Sequence, residues 1–223
     1  MTTFSAADRD DVVATCGRML ADGLVVGTSG NVSLRRGDQV LITPTAVDYR
    51  TLTSSALPVV DLAGDRVAGH LAPTSELPLH LAIYRAHPEA GALVHTHAVH
   101  ATAVSTLAGT VPNVHYILAS NGGAVRVAKY ATYGTPELAE SAVGAMEGRS
   151  ACLLANHGTV TIGESLAAAY DRAVQLEWAC RVWLAATAAG DPQLLSGDEM
   201  ARVAEKLRGY RQPEAGTQDE EER

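Results

Sequence analysis

The chain has 223 residues, 47% of them apolar and 19% charged, with 17 Lys and Arg against 25 Asp and Glu for a formal net charge of −8. That apolar content can offset the ordering entropy of a packed core, which excludes a wholly disordered chain, and the length suits one generous domain or at most two small ones. An acidic body with no basic tract excludes a nucleic-acid binder, whose affinity rests mainly on neutralised phosphates.

The N-terminal MTTFSAADRDD is polar and acidic, with neither the basic nor the apolar region of a signal peptide. Residues 8–22 follow with Val12, Val13, Cys16, Met19 and Leu20 at helical spacing. A glycine-rich turn over 23–31 leads into two short β runs, 32–34 and 40–43, whose RRGD link predicts a hairpin. A third β run covers 58–62. Residues 76–86 read as a helix, with Thr74 or Ser75 as its cap and Pro78 in its first turn. Residues 92–95 read as a buried strand and 97–105 as a helix. An apolar run over 114–119 precedes the turn Asn121-Gly122-Gly123.

Thr135-Pro136-Glu137 opens a helix to about residue 146. Two strands, 151–155 and 159–162, flank Asn156-His157-Gly158. A long helix over 165–189 carries Tyr170, Val174, Trp178 and Val182 as its stripe, and a last helix covers 197–207. Arg181 interrupts the most apolar stretch, so no transmembrane span and no membrane partner is expected. After Pro213 the chain reads EAGTQDEEER, without apolar content. The expectation is therefore one α/β (α+β-like) domain over 1–212, with a largely antiparallel central sheet flanked by helices. A disordered acidic tail is expected over 213–223. Hairpin-length links favour the antiparallel pairing. Cys16, Cys152 and Cys180 are odd in number and far apart, so no disulfide framework or CxxC zinc site is readable. The cytoplasm is the expected compartment.

The chemistry-bearing residues are concentrated among eight histidines. His95 and His97 stand i, i+2 at a strand end, which puts both rings on one face. Two imidazoles on one side can hold a divalent metal at about 2 Å from each nitrogen. Two polar side chains ending a strand account for the pair as well. His157 sits in a turn between apolar strands and supplies a third ligand if it points inward. Three histidines with an open fourth position is a catalytic rather than a structural zinc pattern. Glu76 at a helix start is favoured by the helix dipole, and beside a metal it could act as acid or base. His80 reads as a core-facing helical residue. His70 and His100 lack sequence partners and read as structural.

The segment Gly27-Thr28-Ser29-Gly30-Asn31 can turn successive N–H groups inward as an anion nest, although a plain glycine turn explains it equally well. It is neither a P-loop nor a dinucleotide-binding turn. Thr45 in ITPT adds a hydroxyl. Thr74 and Ser75 add two more at a helix N-terminus, a natural anion site.

Taken in order, GTSGN, ITPT, PTSE, HTHAVHATAVS and ANHGT resemble the class II aldolase/adducin-type family, and VHYILASNGG, VAKYATYGT and EKLRGY extend the likeness over about residues 8–210. The resemblance implies a zinc-dependent lyase that reversibly cleaves a ketose 1-phosphate, of the L-fuculose 1-phosphate type, to dihydroxyacetone phosphate and an aldehyde through a metal-stabilised enediolate. It implies one Zn²⁺, or another divalent metal, per subunit, held by His95, His97, His157 and Glu76. Glu76 would also serve as the acid/base. It implies a phosphate held by Thr28, Gly30, Asn31, Thr45, Thr74 and Ser75. Tyr116 would reach a neighbouring subunit's site as proton donor, and Tyr133 and Tyr210 would line the site. A homotetramer with sites between subunits is implied, with a small phosphorylated sugar as partner.

One departure is visible: the family often reads TPTG where this chain has Ala46. A β-carbon there strains the turn if φ is positive. The family also holds pentulose-5-phosphate 4-epimerases, which usually carry Asp at the Glu76 position, a methylthioribulose-1-phosphate dehydratase, aromatic-acid decarboxylases and the non-catalytic adducins. Glu76 and the VHYIL and YATYGT segments favour an aldolase. The three histidines together argue against the adducin-like reading.

Overall fold

Alternation along the strands decides how the layers stack. In β5 (Ala92–Thr96) every residue is buried. Ala92 and Val94 enter one apolar cluster and Leu93 the other. A strand buried on both faces needs cover on both, and the computed structural model, which describes residues 4–209, supplies it. One cluster packs the sheet against α1 (Ala6–Ala21), α3 (Val99–Leu107), α5 (Leu166–Ala189) and α6 (Gly197–Arg208). The other packs it against α2 (Leu77–Ala86) and α4 (Pro136–Ala145).

The remaining strands are β1 (Asn31–Arg36), β2 (Gln39–Ile42), β3 (Val59–Asp61), β4 (Arg66–Ala68), β6 (Thr110–Val111), β7 (Val125–Ala128), β8 (Ala151–Leu154) and β9 (Gly158–Gly163). Among the described residues they form a nine-stranded sheet in the order β4-β3-β2-β1-β5-β9-β8-β7-β6. Every pair is antiparallel except β7 with β8. The expected fold class, a largely antiparallel sheet flanked by helices, is the observed one. The expected β1–β2 hairpin is present, with Arg36 opposite Gln39. Among the described residues no helix is long and apolar enough to cross a membrane.

Four local expectations change. β4, β6 and β7 were not anticipated; β4 and β6 are only three and two residues long. The apolar run over 114–119 lies largely in a 3-10 helix, Tyr116–Asn121. The N-cap of α2 is Glu76, not Thr74 or Ser75. Thr74 instead accepts the Glu76 N–H on its hydroxyl at 3.3 Å. The face of α5 is also different: Ala169, Tyr170, Ala173, Leu176, Ala179 and Cys180 are buried, whereas Val174 and Trp178 are exposed. The small residues Ala169, Ala173 and Ala179 let the helix lie close on the sheet, with Tyr170 and Leu176 packed beside them, while Val174 and Trp178 turn outward.

His100 was expected to lack a partner but has one. The Glu177 carboxylate on α5 lies 2.6 Å from His100 Nδ1 and accepts the backbone N–H groups of His100 and Ala101. It thereby satisfies the open N-terminus of α3, the helix that begins two residues after His97. Tyr210, the boundary at 212 and the acidic tail lie outside the described residues.

Candidate active site

Three neighbouring strands deliver the site. Asn31 opens β1 and is registered against His95 near the end of β5. His95 in turn faces Val160 of β9, and the β8–β9 turn carries His157. Two glycines allow this convergence. Gly30 has φ +76°, and a Cβ there would stand 2.8 Å from the His95 carbonyl oxygen and 2.5 Å from Val25. A Cβ on Gly158 would stand 2.0 Å from the Thr96 carbonyl oxygen. Tyr49 fixes the Gly30 side further by donating its hydroxyl to the Gly30 carbonyl at 2.6 Å.

On this frame the four expected metal ligands lie together. One ligand atom from each of Glu76, His95, His97 and His157 fits within a group of 4.8 Å span. The three imidazole rings meet edge to face, each pair with centroids 4.9 Å apart. His95 Nε2 is 3.0 Å from His97 Nε2 and 2.9 Å from Glu76 Oε2. His157 Nε2 is 3.4 Å from Glu76 Oε1. His95 Nδ1 lies 2.8 Å from the Thr159 carbonyl oxygen. A carbonyl only accepts, so the ring proton sits on Nδ1 and the Nε2 lone pair faces the cluster.

The donor set fits a divalent cation on a specific ground. Glu76 Oε1 is buried with no hydrogen-bond partner, which leaves a desolvated carboxylate oxygen unsatisfied. A cation among three imidazole nitrogens and this carboxylate removes that cost.

Electrostatics within the cluster run in opposite directions. Burial pushes the Glu76 carboxyl up, but the His95 and His157 rings and the Asn31 amide outweigh it and hold it well below the usual carboxylate range. Burial lowers His95 as well, yet the Glu76 carboxylate beside it raises it overall. His97 is pushed down to about 3 and His157 to about 4, by burial first and then by the neighbouring rings. His80 is pushed down to about 3 by burial and the His95 ring.

A cavity of about 330 Å³ opens beside the cluster. Its lining includes all six expected phosphate-site residues, Thr28, Gly30, Asn31, Thr45, Thr74 and Ser75, together with Glu76, His97, His157 and Tyr133. His95 is fully buried beneath it. None of the described lining residues is Lys or Arg, so the cavity offers an anion hydroxyls, amides and a helix N-terminus instead of basic side chains.

Tyr116 is not part of this lining. It is 49% exposed and stacks on His115, which in turn meets Trp178. Ser29, Tyr130 and Asn156 also line the cavity and were missed as site residues. Their only sequence signal is position: inside the glycine loop, three residues before Tyr133, and next to His157. Ala46 lines the cavity too, and its φ is +55°.

The sequence profile described as "Class II Aldolase and Adducin N-terminal domain" matches residues 10–184. The chain belongs to this family. It is 42% identical over 201 residues to an L-fuculose phosphate aldolase of Escherichia coli K12, covering 89% of this chain and 93% of that one. It is 41% identical over 189 residues to a 5-methylthioribulose-1-phosphate/5-deoxyribulose-1-phosphate aldolase of Rhodospirillum rubrum, covering 84% and 85%. A solved L-fuculose 1-phosphate aldolase superposes with a TM-score of 0.90 at 35% identity, over 92% of this chain and 98% of that one.

Proposed function

We propose that this class II aldolase reversibly cleaves a ketose 1-phosphate to dihydroxyacetone phosphate and an aldehyde, with one Zn²⁺ or similar divalent ion per subunit. A single observation carries the reading: Glu76 Oε1, a buried carboxylate oxygen without a hydrogen-bond partner, stands among three converging histidines at the wall of a cavity lined by hydroxyls. His95, His97, His157 and Glu76 are the ligands. Bound there, the cation supplies Lewis-acid polarisation of a carbonyl and offsets negative charge as it develops.

The chain's own residues do the rest. Thr28, Gly30, Asn31, Thr45, Thr74 and Ser75 hold the phosphate through O–H and N–H donors, which orients the sugar before any bond changes. Glu76 holds and returns the proton at the carbon beside the carbonyl. Tyr133, on the wall of the cavity, lines the bound substrate. Tyr116 takes up the proton of the hydroxyl that becomes the aldehyde in cleavage and gives it back to that oxygen in the reverse direction. It acts in a neighbouring subunit's site, which accounts for its position away from its own cavity. The homotetramer this requires is supported by an exposed apolar face in which Val99, Val174 and Trp178 share one surface hollow and Trp178 meets the His115–Tyr116 pair.

The named relatives act on differing sugars, and the chemistry they share is a ketose 1-phosphate. The test is a panel of L-fuculose 1-phosphate, 5-deoxyribulose 1-phosphate, 5-methylthioribulose 1-phosphate and ribulose 5-phosphate, with products identified. Dihydroxyacetone phosphate from one of the 1-phosphates is the expected result. A pentulose 5-phosphate epimer as sole product would overturn it.

A further inference from the structure

A chain of buried polar groups runs away from Glu76 through the second layer of the site. Asn31 Nδ2 donates to Glu76 Oε2 at 2.9 Å. The other side of that amide, Oδ1, hydrogen-bonds His80 Nε2. His80 Nδ1 lies 2.7 Å from the Ser33 hydroxyl, and Ser33 Oγ lies 2.8 Å from the Tyr84 hydroxyl. Ser33, His80 and Tyr84 are fully buried, and Asn31 is nearly so. Two periodicities assemble the chain: Asn31 and Ser33 share a face of β1, and Glu76, His80 and Tyr84 stack one turn apart where α2 begins and continues.

Donor bookkeeping fixes the directions from Glu76 out to Ser33; the Tyr84 hydroxyl beyond it also has the Ser33 backbone carbonyl as an acceptor at 3.1 Å. An ionised carboxylate only accepts, so Asn31 must turn its NH2 to Glu76. Its carbonyl oxygen then faces His80 Nε2, which must donate. The neutral ring carries its one proton there, and Nδ1 accepts from Ser33. The Ser33 oxygen can in turn accept from Tyr84. Ser33, His80 and Asn31 each donate toward the carboxylate, so these bonds polarise one another in one sense. The other His80 tautomer would turn the Asn31 amide over and set two oxygens against each other at the Glu76 contact.

We propose that His80 is a positioning residue: through its Nε2–H it locks the amide orientation of Asn31, which anchors Glu76 Oε2 and leaves Oε1 facing the cation site and the cavity. The Ser33 hydroxyl donates to the Nδ1 lone pair that this tautomer leaves and so keeps the ring in place, and Tyr84 packs behind Ser33. The proposal rests on the aldolase reading for its kinetic consequence but not for its geometry.

Two measurements test it. In metal-free protein labelled with ¹⁵N-histidine, His80 should show a protonated Nε2 and an unprotonated Nδ1. A proton on Nδ1 overturns the proposal. In the metal-loaded enzyme, H80F should lower kcat by about 10- to 100-fold, as removal of outer partners of a metal site does. H80Q, which keeps an N–H donor toward Asn31, should recover most of that loss. S33A keeps the ring and removes only the hydroxyl, so it gives the kinetic answer if H80F does not fold: a drop in kcat. Folded H80F or S33A with wild-type kcat overturns the proposal, as does H80Q no better than H80F. Failure of the aldolase reading shows separately, as wild-type enzyme inactive on every ketose 1-phosphate, and the tautomer measurement then decides alone.

Discussion

Ala46 stands at φ +55° on the cavity wall, in a region that costs a residue with a β-carbon roughly 1–2 kcal/mol. Ala46→Gly relieves that strain but returns roughly 0.4–1 kcal/mol of freedom to the unfolded chain. The expected net effect is a gain of roughly 0.5–1 kcal/mol in denaturant unfolding, and a loss would show that the turn does not hold the strained angle. Glu76→Gln keeps the side chain's shape and removes its acid/base capacity. It should lower kcat by about 10²- to 10⁴-fold, the usual worth of a positioned acid/base group, in protein with an unchanged circular dichroism spectrum. The thiols of Cys16 and Cys152 are pushed up to about 12, by burial first, and Cys180 is raised too. All three are fully buried. They should ignore a thiol reagent at pH 8 until denaturant exposes them. At this scale the sequence was legible where spacing alone places side chains together. The i, i+2 pair of His95 and His97 is such a case, as is the threonine-serine-glutamate run at a helix start. It was illegible where residues meet only after β1 packs on α2. His80 is the example: nothing in its neighbourhood along the chain points to Asn31 or Ser33.

Helix α5 shows how an element can be located correctly and rotated wrongly. Its apolar residues run nearly all the way round, so a stripe of Tyr170, Val174, Trp178 and Val182 and a face of Ala169, Tyr170, Ala173, Leu176 and Cys180 are both compatible with helical period, with Tyr170 common to the two. Packing chooses the second, because small residues allow a closer approach to the sheet. Leu176→Ala, in the core, should cost about 2–5 kcal/mol of unfolding free energy. Val174→Ala, on the exposed side, should stay within about 0.5 kcal/mol. Equal costs would restore the other rotation. β4 and β6 escaped notice for a different reason. Two or three residues cannot display a period, and their pairing is decided by the strand beside them. The strands that carry the site, β1, β5 and β9, are longer and were found.

At the scale of the whole molecule, two features of the single chain point outward. Tyr116 is remote from its own cavity, and the apolar surface around Val99, Val174 and Trp178 has no cover within the described residues. The expected assembly is a tetramer by light scattering. Trp178→Glu should yield smaller, folded species with reduced cleavage activity; a monomeric wild type with full activity would remove Tyr116 from the reaction. The net charge of −8 says nothing of this cavity, whose lining brings together a buried carboxylate, imidazoles, hydroxyls and the start of α2. The most direct measurement is metal titration of chelated protein against its responsive ketose 1-phosphate, following release of dihydroxyacetone phosphate. Activity should be negligible without metal and rise to a plateau at one ion per chain, and His95→Ala should abolish both the binding and the rise. Undiminished cleavage by metal-free protein, or a plateau unaffected by that substitution, would contradict the account.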